Sequence, residues 1–101
     1  MPTLDISEYQ KLAKDDDSRQ IQAGSEPGIR FQQVAIGGSS QQSQPFNDRT
    51  KLIRVHADVA CRVAFGDNPS ASSTASMRLG AGSTEYFGVT PGQRLAVISS
   101  T

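Results

Sequence analysis

Tryptophan is absent from this chain of 101 residues, cysteine occurs once, and two Tyr and four Phe are the only aromatics. A single cysteine, Cys61, excludes an intramolecular disulfide and any multi-cysteine zinc site. Neither charge is in excess: ten acidic and ten basic residues give a formal net charge of zero. Readers of nucleic acid normally carry a basic surplus or stripe, so no nucleic acid is expected as a partner. A polybasic membrane patch is equally missing. No apolar run approaches the roughly 20 residues that span a bilayer. The opening MPTLDISEYQ has no basic segment followed by an apolar stretch, so no secretory leader is expected. The expectation is a soluble product made in the cytosol, with no membrane partner.

What is present fits one small domain. Only 36% of the residues are hydrophobic. A chain of this length removes roughly two-thirds of its extended surface from water on folding. The core is therefore lean, and part of the length is expected to be an arm or loops. Residues 1–30 read as that arm, and 31–101 as a β-sandwich domain. In the arm, Asp5 is placed to cap a short helix, with Glu8 three residues on as in a capping box, and Leu4 and Tyr9 as the staple. Ile6, Tyr9, Leu12 and Ala13 make a narrow apolar stripe at helical spacing. Asp15-Asp16-Asp17-Ser18 ends it, because carboxylates oppose the negative end of a helix. Residues 18–30 carry turn punctuation at Gly24, Pro27 and Gly28 and read as an extended linker.

The strand signals follow. Residues 31–36 make the first, broken by the polar tract Gly37-Gly38-Ser39-Ser40-Gln41-Gln42. The strongest lies in 51–65, KLIRVHADVACRVAF, where Ile53, Val55, Ala57, Val59, Cys61, Val63 and Phe65 alternate with Arg54, His56, Asp58 and Arg62. That is period two, with a bend or bulge expected near Ala57-Asp58 because one strand this long is unusual. Shorter strands are expected over 76–79 and 84–89, around a Gly80-Ala81-Gly82 turn. A type II turn at Thr90-Pro91-Gly92-Gln93 leads to a last strand over 94–99. Short strands with turn signals between them predict an all-β fold, a small antiparallel β-sandwich or barrel with an extended N-terminal arm carrying a short helix.

Candidate chemistry is sparse. Asp15-Asp16-Asp17 are consecutive and lack the alternation, central Gly and closing Glu of an EF-hand, and Asp67-Asn68-Pro69 reads as a turn. His56 and Asp58 share one strand face, yet no G-x-S-x-G elbow or positioned nucleophile accompanies them. Cys61 falls on the apolar face and reads as a small buried hydrophobe. Gly37-Gly38-Ser39-Ser40 lacks the Lys and the helix of a phosphate loop. Arg54, Arg62 and His56 read as solvated strand residues or as a partner-facing surface. No catalytic residue, cofactor or metal ligand is expected. The stripe Leu4, Ile6, Tyr9 and Leu12 is the candidate partner contact.

The C-terminal half carries a succession of motifs. Thr50-x-x-Ile53-Arg54-Val55 leads to Asp58-x-Ala60-Cys61-x-Val63-Ala64-Phe65-Gly66 and Asn68-Pro69-x-Ala71. Met77-x-Leu79, Gly82-x-Thr84-Glu85-Tyr86-Phe87-x-Val89 and Pro91-Gly92-x-x-Leu95-Ala96-Val97-Ile98 follow. This succession, over 45–101, resembles small virion proteins of tailed bacteriophages, found among head structural genes and often read as decoration or cement proteins. Ile6-Ser7-Glu8-Tyr9 and Val34-Ala35-Ile36-Gly37 carry a fainter likeness to the same group. The resemblance implies a non-enzymatic β-sandwich that sits on the capsid surface of the virion after synthesis in the host cytoplasm. Its implied partners are the major capsid protein or other virion subunits, or copies of itself, a trimer among them. The N-terminal arm would order on assembly. A tail, neck or fibre component, and a host-surface or carbohydrate-binding β-module, are the competing readings.

Overall fold

A computed structural model describes residues 2–100, apart from the side chains of residues 21 and 22. The described chain is all-β and antiparallel. Its strands are β1 (Thr3–Tyr9), β2 (Leu12–Lys14), β3 (Gln20–Gly24), β4 (Arg30–Ala35), β5 (Gln41–Gln42), β6 (Leu52–Ala57), β7 (Cys61–Gly66), β8 (Met77–Leu79), β9 (Thr84–Gly88) and β10 (Arg94–Ser99). Two four-stranded sheets, ordered β4-β1-β6-β9 and β5-β10-β7-β8, enclose one core, and β2 and β3 form a separate hairpin. Leu4, Ile6, Val34, Ile53, Val55 and Ala57 reach the core from the first sheet. Cys61, Val63, Leu79, Leu95 and Val97 meet them from the second, and Phe46 closes one end.

The N-terminal segment corrects the expected helix. Residues 3–9 are a strand in the interior of the first sheet, paired with β4 on one side and β6 on the other. The apolar positions fit two periods at once. Leu4, Ile6 and Glu8 point to the core on a period of two, and Tyr9 lies on the opposite face. The cross-strand partners decide between the readings, because ten residues at helical spacing cannot offset the nucleation cost without packing. Consequently 1–30 is not a separate arm: β1 is central, and the supposed linker contains β3, hydrogen-bonded to β2. The polar tract after β4 likewise ends in β5, which pairs with β10.

The long alternating stretch divides as its length suggested. β6 and β7 are separated by residues 58–60 and lie in different sheets. The step from Ala57 to Cys61 spans an even number of positions, so the inward parity survives the corner and both strands feed the same core. The turn at 90–93 forms as read: Gln93 N donates to Thr90 O at 3.2 Å, and Gly92 has φ of 84°.

One polar side chain is carried into this interior. Glu8 is fully buried, and its carboxylate accepts from Gln32 Nε2 at 2.9 Å, Asn47 N at 2.9 Å and Thr50 Oγ1 at 2.8 Å, with Arg30 Nε at 3.7 Å. The residue read as a capping-box acid instead fastens β1 to β4 and to the 43–51 crossing between the sheets. Strand order follows from that crossing. Counted from β4, with β1 taken after β10, the first sheet holds the first, eighth, third and sixth strands. The second holds the second, seventh, fourth and fifth. Both ends of the described chain meet at one pole: Ile36 N donates to Pro2 O at 3.1 Å and Ser99 N to Gly37 O at 2.8 Å.

Removing the carboxylate while leaving its donors buried costs more than the bonds themselves. Glu8→Ala is expected to destabilise the domain by about 3 kcal/mol, read as a lowered urea midpoint with an unchanged slope. An unchanged midpoint would show that the network contributes nothing.

Candidate interaction surface

The outward side of the first sheet is assembled from alternate residues of four strands. Register places Phe31, Ser7, Arg54 and Tyr86 in one row across it, and Gln33, Asp5, His56 and Thr84 in the next. Phe31 is 66% exposed and Tyr86 38% exposed, one on each edge strand. Arg54, half-buried, stands between Ser7 and Tyr86. His56 Nδ1 and Thr84 Oγ1 are 2.9 Å apart. A row with an aromatic ring at each end and a cation between them suits contact with another surface.

The β2–β3 hairpin rises beside this face. Its base is seated on Tyr9, whose ring lies against Gly24 so closely that a Cβ there would overlap it. Tyr9 OH donates to Glu26 Oε2 at 2.6 Å, just before the cis Glu26-Pro27 bond. Burial, then the bond to Glu26, pushes the phenol up to about 12. Between the hairpin and β9 runs an open cleft of about 700 Å³, lined by Lys11, Leu12, Lys51, Leu52, Tyr86 and Gly88 among others.

The expected partner contacts fare differently from one another. Leu4 and Ile6 are in the chain's own core, and Tyr9 is buried under the hairpin, so these three are occupied within the subunit. Leu12 is half-buried and lines the cleft, the one member of the stripe on an accessible wall. The physical reason is the strand period: a stripe drawn at helical spacing mixes both faces of β1.

The other candidates are engaged by different partners. His56 bonds Thr84, while Asp58 Oδ2 accepts from Thr3 N at 2.9 Å and Thr3 Oγ1 at 3.2 Å. The backbone bond from Thr3 holds the Asp58 carboxyl below its ordinary range. Asp58 thus tethers the start of β1. Cys61 is buried, and burial pushes its thiol up. Asp15 Oδ1 accepts from Asp17 N and Arg19 N, both at 2.9 Å, making the acidic run a hairpin tip. Among the described residues no group of three or more His, Cys, Asp or Glu is placed to hold a metal ion.

The segment 67–76 returns over the second sheet. Gln42 Nε2 donates to Asn68 Oδ1 and Pro69 O, both at 2.8 Å, and Ala71 N donates to Ser40 Oγ at 2.9 Å. Arg62 Nη1 fastens its far end through Ser76 O at 2.8 Å. Pro69 and Ala71 are buried, and Ala96, on the outward side of β10, has no exposure. The small residues of this segment let it lie flat as a cover. The two sheets therefore differ: the second is covered around Ala96 by its own chain, and the first, capped by the hairpin at the Tyr9 end, leaves the row from Phe31 to Tyr86 accessible.

Sequence reasoning missed Phe31 and Tyr86 as surface groups. The signal for Tyr86 was present in TEYFG, whose alternation sends Tyr86 one way and Phe87 the other. Phe87 reaches Phe65 at a ring separation of 5.2 Å. Comparison of the chain with protein families, curated proteins and solved structures finds no match.

Two measurements check this arrangement. The raised Tyr9 phenol contributes stability that is complete below about pH 10, the ordinary tyrosine value, and is lost as pH climbs towards about 12. Tyr9→Phe is expected to flatten that alkaline limb in urea titrations; an identical limb would refute the assignment. Cys61 is expected to react with a thiol reagent only at the unfolding rate, and rapid labelling of the native protein would contradict its burial.

Proposed function

We propose that this chain is a non-enzymatic structural protein of a bacteriophage particle, a capsid decoration or cement protein that stabilises the head by contacts with capsid subunits. The open outward side of the first sheet, with Phe31, Arg54 and Tyr86 across it, is the observation that carries the reading. Three further features support it. The motif succession over 45–101 resembles small virion proteins. Those motifs hold structural positions here: Thr50 on Glu8, Asp58 on Thr3, Asn68 on Gln42. With β1 counted after β10, the strand order is that of a jelly-roll sandwich, an architecture used in viral capsid domains.

The mechanism is adhesion. A small rigid domain loses little conformational entropy on docking, because its strands are already ordered. Each contact gains about 25 cal/mol per Å² of apolar surface removed from water. Single contacts of modest strength become effectively permanent when many act on one lattice. Arg54 adds direction, since it offers a fork of donors to a carboxylate on the facing subunit.

Mass spectrometry of purified particles is expected to find the protein, and cryo-microscopy to place it on the head exterior. Phe31→Ala together with Tyr86→Ala is expected to weaken binding to particles about tenfold or more, with the circular dichroism spectrum unchanged. Absence from purified particles, or location on the tail alone, would overturn the reading.

A further inference from the structure

The first sheet ends in β9, and among the described residues no strand pairs with its outer edge. Val89 N donates to Lys51 O at 2.9 Å and Ala57 N to Ser83 O at 3.1 Å. In an antiparallel ladder the residues bonded to one neighbour alternate with those facing away. The odd-numbered residues of β9 therefore bond β6, and Thr84, Tyr86 and Gly88 turn their N–H and C=O groups outward. Such a row is a template for a further strand.

We propose that β9 pairs with β9 of a second copy, antiparallel about a two-fold axis at Tyr86, joining the two open sheets into one of eight strands. The axis makes Tyr86 exchange both bonds with its own copy, while Thr84 and Gly88 exchange theirs with each other across the axis. An isologous contact requires a self-complementary patch, and this one is. Lys51, at the entry to β6, is in register with Val89, and Glu85 of β9 with Val55, so a cation stands one strand behind one end of the edge and an anion on the edge towards the other, on the same side of the sheet. The two-fold brings Glu85 of the second copy opposite Phe87, two positions from the Lys51 end. No net charge opposes the approach of two copies.

Apolar surface points to the same flank. Of the three large exposed hydrophobics among the described residues, Tyr86 is on β9 and Met77, 51% exposed, is on β8, which ends the second sheet, while Phe31 stands alone on the opposite edge. The opposite edge, β4, is a poorer self-partner. Arg30 is its one charged residue and is already held against Glu8 within the subunit, Nε to Oε2 at 3.7 Å. Its flank is laced to the 43–51 crossing by Arg30 Nη1 to Pro45 O at 3.0 Å and Gln44 N to Gln32 Oε1 at 3.0 Å. The inference goes beyond the virion reading and does not depend on it.

Analytical ultracentrifugation of the full chain over a concentration series is expected to show a monomer–dimer equilibrium. Amide exchange is expected to slow at Thr84, Tyr86 and Gly88 as the dimer forms, with Glu85 and Phe87 protected throughout. Thr84→Pro removes one edge-facing donor from each copy and is expected to weaken dimerisation about 30-fold. Tyr86→Lys places two like charges on the axis and is expected to leave a monomer with the same exchange pattern elsewhere. A monomer at every concentration, or a trimer, would overturn the proposal. So would a dimer whose Thr84, Tyr86 and Gly88 amides exchange freely, including one protected at Phe31, Gln33 and Ala35 on β4.

Discussion

A carboxylate without solvent is the constraint around which this domain is arranged. Glu8 gains its place only if enough donors converge on it, since an unpartnered buried charge is far too costly. Those donors come from three places in the chain: Gln32 on β4, and the Asn47 amide and Thr50 hydroxyl on the crossing to β6. The first strand must therefore lie between β4 and β6, and the crossing must curl back over its end. Once it does, Phe46 is brought down as the plug of the core, where its N–H meets Gln93 O at 2.8 Å and its C=O accepts from Gly92 N at 3.1 Å. One polar contact thus couples the first strand, the crossing and the last turn. It also narrows the alternatives, because no register slip of β1 keeps Glu8 inward among its donors while Leu4 and Ile6 stay in the core.

The parts of the fold legible in the sequence were those where one pattern had no rival. Alternation from Ile53 to Phe65 has no helical counterpart, and Pro91-Gly92 has one natural turn. The corner at 58–60 was legible as a break, but its consequence was not: a bulge within one sheet and a passage between two sheets leave the same alternation when the step is even. The N-terminal segment failed for a different reason. Leu4, Ile6, Glu8 and Tyr9 satisfy both a strand and a helix template, and the deciding terms are cross-strand partners that lie far along the chain. Glu8 was misassigned with it, because a carboxylate near a chain start reads as a cap until its buried donors are seen.

Surface assignment depended on the same error. Taking the apolar stripe of β1 as partner-facing directed attention to side chains that the subunit keeps for itself. The groups actually turned outward are scattered over β1, β4, β6 and β9, and become neighbours only through register. Phe31 and Tyr86 are far apart in sequence and belong to one row. What distinguishes the two sheets is likewise nonlocal. Segment 67–76 carries small side chains and hydroxyls, ordinary loop composition, yet Ser40 and Gln42 hold it down over Ala96 and make the second sheet blind to solvent there.

The meeting of both chain ends near Ile36 and Gly37 has a corollary. Glu8, the 43–51 crossing and the β2–β3 hairpin all gather where β1 finishes, away from where it begins. Pro2 and Ser99 are thus held at the same cap of the molecule, with the hairpin at the other, which gives the domain a distinct top and bottom.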